Sequence, residues 1–198
     1  MKTALISVYH KDGIVEFARR LLKIGDWEIL ASGGTAKHLE NAGIPVEDVA
    51  TLVGKPILGH RVVTLSREIH AALLARDTPE DQAELDRIGV PRIDLVCVDL
   101  YPLEAAIKEG KSAEEVQELT DIGGPTLLRS AAKGRRLVIA EPHVRETVLQ
   151  WLKNGRPHNH KEFCRALAAK AEATVAHYCL TSAAYLEKKV VTLQRYNT

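Results

Sequence analysis

The sequence predicts an α/β protein with a mostly parallel sheet, followed by a helical extension. Three observations carry this. Apolar runs at Thr3–Val8, Trp27–Ala31 and Ile93–Asp99 are strand-length and β-rich, and the first two lead through a turn into a stretch of helical periodicity. The Ile93–Asp99 run (IDLVCVD) is nearly all apolar, as a strand covered on both faces must be. Glycine-bearing turns stand at the strand ends, at Tyr9–Gly13 and at Ser32-Gly33-Gly34-Thr35. In a parallel sheet the carboxyl ends of all strands face one edge, where ligands bind.

Composition narrows the class further. A chain of 198 residues, 45% hydrophobic and 27% charged, suits one globular domain with an extension. A net charge of +1 gives no electrostatic reason to expect a nucleic-acid or membrane partner. Cys97, Cys164 and Cys179 lack CxxC spacing and lie in apolar or helical contexts, so they read as reduced, buried thiols of a cytoplasmic protein. The apolar run in MKTALISVY is too short for a secretion signal, and no segment is long enough to span a membrane. The expected organisation is a domain over residues 1–153, then a linker and C-terminal helical extension over 154–198, packed on the domain or on a dimer partner.

In order, Thr3–Val8 is the first strand and, arriving so early, the central one. The helix after it carries Ile14, Val15, Phe17, Ala18, Leu21 and Leu22 on its apolar side and ends near Gly25. Trp27–Ala31 is the second strand, and Leu39 and Ala42 mark the next helix, closed by Gly43. The Ser32–Thr35 turn between them bares N–H groups at the positive end of a helix, with two hydroxyls beside them. That suits a phosphate or carboxylate, although Thr35 as a simple cap explains the same residues. Pro45–Val49 is a short third strand, and Gly54–Leu65 a loop whose Arg61 and Thr64 form either an anion clamp or a solvated surface. Ile69–Leu74 is a short helix, and Thr78–Ile88 a surface helix with a threonine cap, proline at its first position and early acids. Tyr101 closes the Ile93–Asp99 strand on the ligand edge, and helices follow near Leu103–Glu109 and Ala113–Leu119.

In Asp121-Ile122-Gly123-Gly124-Pro125 the proline opens a helix, the glycine pair bares N–H groups, and the positive helix end holds Asp121 ionised. Lys133 lies about 12 Å further along the axis at ~1.5 Å per residue. By residues alone it is either an acid–base partner of Asp121 or, as the spacing favours, a solvated lysine on a packed helix. Arg136–Ala140 is the last strand and His143–Leu152 an amphipathic helix. His158 and His160 lack a third ligand at useful spacing for a metal. A long helix over Lys161–Glu187 carries a stripe of Phe163, Leu167, Ala171, Val175, Tyr178, Ser182 and Tyr185.

ISVYHKDGIVEFAR, ASGGTAKHL, GHRVVTL, IHAALLAR, DLYPLE and DIGGPTLLRSAAK, in this order and spacing, resemble the IMP cyclohydrolase domain of bifunctional purine-biosynthesis proteins from residue 3 to about 187. DIGGPTLLRSAAK is the most specific piece. The resemblance implies a methylglyoxal-synthase-like, three-layer αβα sandwich, without the transformylase domain that usually follows. It implies closure of the formylated aminoimidazole carboxamide ribotide (FAICAR) to IMP and water, with no cofactor or metal, by a homodimer supplied by a separate formyltransferase. By position, Asp121 matches the family's aspartate that orients or deprotonates the carboxamide, Lys133 its lysine and Tyr101 its neighbouring tyrosine. Ser7, Lys11, Ser32, Gly34, Thr35, Arg61 and Thr64 match the family's grip on the ribotide phosphate, with Gly33, Gly123 and Gly124 in the adjoining turns.

The chain departs from the family pattern at several of these places. SVYHKDG replaces SVSDKTG, so Tyr9 stands where a hydroxyl would contact phosphate. RVVTLSR replaces RVKTLHP, putting Val63 in place of a lysine proposed to assist catalysis and Ser66 in place of a histidine. DLYPL replaces NLYPF, and SAAKG replaces AAAKN. His10, Lys55 and Arg67 are the nearby cations that could compensate. Two other readings follow from the same fold: a non-catalytic phosphate-binding module and a methylglyoxal synthase. Asp121, Tyr101 and Lys133 argue against the first. The second lacks a carboxylate–histidine pair at the phosphate loop.

Overall fold

A computed structural model describes residues 1–59, 61–155 and 159–196, with side chains through residue 188. Five strands, β1 (Lys2–Ser7), β2 (Trp27–Ala31), β3 (Glu47–Asp48), β4 (Ile93–Val98) and β5 (Leu137–Ile139), form one sheet in the order β3-β2-β1-β4-β5. Every neighbouring pair is parallel, and β1 is central as predicted. Because side chains alternate along a strand, one strand feeds two cores. Ala4 and Ile6 of β1 and Leu95 and Cys97 of β4 enter the first. Leu5, Val96 and Val98 enter the second. That two-sided burial is why β4 reads as a continuous apolar run.

The first core is covered by α1 (Ile14–Ile24), α2 (Gly33–Asn41) and α9 (Val144–Lys153). The second lies under α4 (Arg67–Leu74), α5 (Pro79–Ile88) and α8 (Gly123–Lys133). The result is the three-layer αβα sandwich that the family resemblance implies. The long helix α10 (His160–Tyr196) packs on β5 and α8, giving Cys164 and Leu167 to the first core and Ala171 and Val175 to the second. It thereby covers the edge strand β5, whose unpaired backbone would otherwise be open. Further along, Tyr178 and Tyr185 pack on α6 (Leu103–Lys108) and α7 (Ala113–Glu118) in a third small cluster. The stripe thus folds onto the chain's own domain.

Local signals decide the ends. Thr78 caps α5 by accepting the Asp81 N–H at 3.3 Å, with Pro79 in first position. Ser112 and Glu115 close a capping box on α7. The structure differs from expectation in four places. Strand β3 shrinks to two residues, because Val49 turns into the core and starts the short helix α3 (Ala50–Val53). Helix α8 begins at Gly123 rather than Pro125. Cys97 and Cys164 are buried but Cys179 is exposed. The fourth, the placement of Lys133, belongs to the site. Among the described residues no helix is long and apolar enough to cross a membrane.

Candidate functional site

From β1 the chain crosses to β2 and β3 on one side, then returns to β4 and β5 on the other, so β1 and β4 flank a topological switch point. A cavity of about 1140 Å³ opens at their carboxyl ends. It is lined by Ser7, Lys11, Ser32, Gly33, Gly34, Thr35, Arg61, Thr64, Tyr101, Asp121, Gly123 and Gly124. Twelve of the thirteen residues predicted for the site therefore share one cavity. Lys133 does not.

One wall is a cradle of hydroxyls and amides. The Ser7 hydroxyl donates to Ser32 Oγ at 2.9 Å, joining the ends of β1 and β2. Thr35 Oγ1 accepts the Val8 N–H at 3.2 Å and the Lys11 ammonium at 3.2 Å, and Lys11 Nζ also donates to the Val8 carbonyl. Ser32 occupies the cap position of α2 but its side chain accepts no helix amide, which leaves the first-turn amides at Gly33 and Gly34 uncapped. An anion there would meet a lysine, hydroxyls and the positive end of a helix. Burial pulls the Lys11 ammonium below its usual pKa, against the raising effect of Asp99. Thr35 is thus neither a simple cap nor a free ligand: 1% exposed, it ties the two loops together.

Asp121 forms the other wall. Its Oδ1 accepts the Gly124 N–H at 2.9 Å, and the Gly123 and Tyr101 amides also point at the carboxylate. The Asp121 N–H donates to the Tyr178 hydroxyl of α10 at 2.8 Å. A Cβ on Gly124 would lie 2.5 Å from Asp121 Oδ2 and 2.6 Å from Leu100 Cδ2, so only glycine lets the helix start this close. A Cβ on Gly123 would lie 3.0 Å from Thr64 Oγ1. The sequence predicts a carboxylate held ionised by the helix end. Burial raises the Asp121 pKa, the helix-start amides offset it in part, and nearby Asp99 adds to the rise. Burial, then Asp121 and Tyr9, likewise raise the pKa of Tyr101 and keep its hydroxyl protonated near neutrality.

Lys133 ends α8, about 15 Å along the axis from Gly123 at ~1.5 Å per residue, at the opposite edge of the sheet. It is exposed and lines a separate cleft with Lys2, Arg135 and Arg136. The predicted Asp121–Lys133 pair is therefore not formed within one chain, because a helix that starts at the carboxyl edge must end at the amino edge. Arg61 reaches the cavity, but its guanidinium pairs with Glu118 at 2.8 Å. Val63 lines the cavity too and packs against the second core. Among the described lining residues only Lys11 and Arg61 are cationic. Lys55 and Arg67 lie outside the lining, and Arg67 pairs with Glu68. Among the described residues no cluster of three or more metal-binding side chains occurs. His160 rests against Trp151 and Cys164, and His158 lies outside the described residues.

Sequence reasoning missed three neighbours. Asp99, at the end of β4, accepts the Tyr9 N–H and lies 3.8 Å from Arg145 of α9. Tyr9 lines the cavity and meets Tyr101 edge-on, ring centres 5.3 Å apart. Tyr178 steadies Asp121 from far along the chain. DLYPL marked Asp99 only as a departure from a pattern, and nothing local in the sequence pointed to Arg145 or Tyr178.

A family model described as "MGS-like domain" matches residues 13–126. The bifunctional purine biosynthesis protein PurH of Thermosynechococcus vestitus is 44% identical over 195 residues, 94% of this chain and 37% of that protein. PurH of Aquifex aeolicus is 44% identical over 156 residues, covering 77% and 31% of the two chains. Among solved structures, one described as "Crystal structure of ForH" superposes with a TM-score of 0.73 at 35% identity, over 92% of this chain and 97% of that one. The chain spans about a third of the length of these PurH relatives.

Proposed function

The chain belongs to the MGS-like domain family, and from that premise we propose that it is an IMP cyclohydrolase, closing the ring of FAICAR to give IMP and water. The observation that carries this reading is the single cavity that sets a phosphate cradle on one wall and a partly buried carboxylate with a protonated tyrosine on the other. A ribotide fits such a site with its 5′-phosphate on Ser7, Lys11 and the Ser32–Thr35 turn and its base toward Asp121. The similarity to the purine biosynthesis protein PurH supports it.

The chemistry is redox-neutral and needs no cofactor. The carboxamide nitrogen attacks the formyl carbon, and Asp121 takes an N–H proton as the C–N bond forms. A base whose pKa lies above the ordinary carboxylate range accepts that proton more readily. Charge gathers on the formyl oxygen, which Tyr101 meets with its hydroxyl. The proton then passes to that oxygen to give a hydroxyl, and as the C–O bond breaks this leaves as water with the proton of the former formamide N–H, while the nitrogen's freed electron pair forms the C=N bond. An amide is a poor nucleophile, so holding the two reacting groups together supplies much of the acceleration. Lys133 has no part in this scheme. Asp121 and Tyr101 in the same cavity as the cradle favour an enzyme over a non-catalytic binding module.

Incubating the purified protein with FAICAR should change the ultraviolet absorbance as purine forms. No turnover above the uncatalysed rate would overturn the reading. A separate formyltransferase as source of FAICAR and a homodimer belong to the same proposal. Leu180, exposed on α10, offers apolar surface to a second copy. Light scattering at micromolar concentration should show twice the chain mass, and a monomer there rejects the dimer.

A further inference from the structure

The loop that carries Lys11 is held from behind by two elements. Asp99, at the end of β4, accepts the Tyr9 N–H on Oδ1. Its Oδ2 is buried without a hydrogen-bond partner, 3.8 Å from His10 Nδ1 and 3.8 Å from the Arg145 guanidinium. Arg145, in the first turn of α9, donates to the Asp12 carbonyl at 2.8 Å. Their side chains are 9% and 8% exposed. So residues 9, 10 and 12 are each engaged, and Lys11 between them is aimed at the Val8 carbonyl and Thr35.

Burying an incompletely bonded carboxylate is costly, and a negative charge behind an anion site repels the anion. Neither effect favours having Asp99 here for its charge. What Asp99 supplies is an acceptor for the Tyr9 amide and a seat for Arg145. Positions 9, 10 and 99, where the chain departs from the family pattern, also meet in this one cluster, as expected of a loop refitted to a new support.

We propose that Asp99 is a positioning residue: through the Tyr9 amide and Arg145 it fixes the Tyr9–Asp12 loop so that Lys11 meets the substrate's 5′-phosphate. This rests on the reading that the cradle binds phosphate, and it is tested by binding, apart from turnover.

Titration calorimetry on Asp99→Ala, Asp99→Asn and Arg145→Lys, with IMP and with inosine, separates phosphate contacts from base contacts. Asp99→Ala should weaken IMP by about tenfold or more, the scale of one lost charge-assisted contact, and leave inosine within about twofold. Asp99→Asn keeps the acceptor oxygen and should hold IMP within about threefold. Arg145→Lys loses the bond to Asp12 and should fall between the two, which tests the proposal even if Asp99→Ala does not fold. KM for FAICAR should rise more than kcat falls. A merely structural role predicts lower melting temperatures with the IMP-to-inosine preference unchanged, and that result overturns the proposal. So does wild-type protein that binds neither IMP nor ribose 5-phosphate. If the IMP-selective loss appears in a protein that does not turn over FAICAR, the positioning role stands and the cyclohydrolase reading falls.

Discussion

The two edges of the sheet hold two cavities of different charge balance: Lys11 and Arg61 face three acids at the carboxyl edge, whereas cations outnumber Asp77 and Asp94 at the amino edge. At the carboxyl edge the lining offers hydroxyls, helix-start amides and the acids Asp99 and Asp121. At the amino edge a cleft of about 760 Å³ is lined by Lys2, Arg76, Arg92, Lys133, Arg135 and Arg136. In a parallel α/β sandwich the helices begin at the first edge and end at the second, so their dipoles favour cations at the second. Arg136 shows the arrangement: buried, it donates to the carbonyls of Leu73, Ala72 and Ala75 where α4 ends. Gly134 serves the same contact, for a Cβ there would lie 1.9 Å from the Leu73 oxygen. That accounts for glycine in SAAKG where the family pattern has asparagine. The amino edge is thus built to finish helices, while the carboxyl edge leaves the first-turn amides of α2 open to its cavity.

The sharpest way to break this contrast is at Asp121. Asp121→Asn keeps the acceptor for Gly124 but removes the base, and kcat should fall on the order of 10²–10⁴ with IMP affinity little changed. A wild-type rate would strip the carboxyl edge of its chemistry. The pH profile sharpens the same point. Burial raises the Asp121 pKa above its ordinary value of 3.8, so the base is lost as pH falls through that raised value. The acid limb of kcat/KM should therefore lie above the ordinary carboxylate range and disappear in Asp121→Asn.

A middle-sized effect is expected at Thr35. Thr35→Val removes the acceptor of the buried Val8 N–H and of Lys11. The orphaned amide should cost about 1–3 kcal/mol of stability in urea unfolding, and IMP binding should weaken as well. On sequence grounds Thr35 reads as a ligand contact whose loss spares folding. Its burial and its bonds to the Val8 amide and Lys11 tie it to folding as well. Unfolding unchanged alongside normal IMP affinity would mean that the two loops do not depend on it.

What the sequence revealed follows from how far each signal reaches. Apolar periodicity, Thr78-Pro79 and the glycine turns are local, and they gave most of the strands and helices and the edge where the cavity opens. The cradle was legible because β1 and β2 are adjacent in both chain and space. Asp99, Arg145 and Tyr178 were not, since their partners lie far off along the chain and arrive through the layering of α9 and α10. The distance between Asp121 and Lys133 was not legible either, because the two share one motif in sequence while a helix of three turns separates them within one chain.

The smallest effect is expected at Lys133. Its ammonium is exposed, no hydrogen bond or ion pair engages it among the described residues, and the length of α8 stands between it and Asp121. What it does is complement the negative end of that helix beside Arg136, a surface contribution whose loss changes stability by about 0.5 kcal/mol or less. Lys133→Met should therefore close the FAICAR ring within about twofold of the wild-type rate, because a donor ~15 Å away cannot reach an oxygen at Asp121. Measured beside Asp121→Asn, it asks whether the two ends of α8 are one site or two. A loss of a hundredfold in Lys133→Met, with folding intact, would mean that Lys133 reaches a reacting group from outside its own cavity, across a dimer interface or through closure of the site. The division of the molecule into a ligand edge and a helix-finishing edge would then fail.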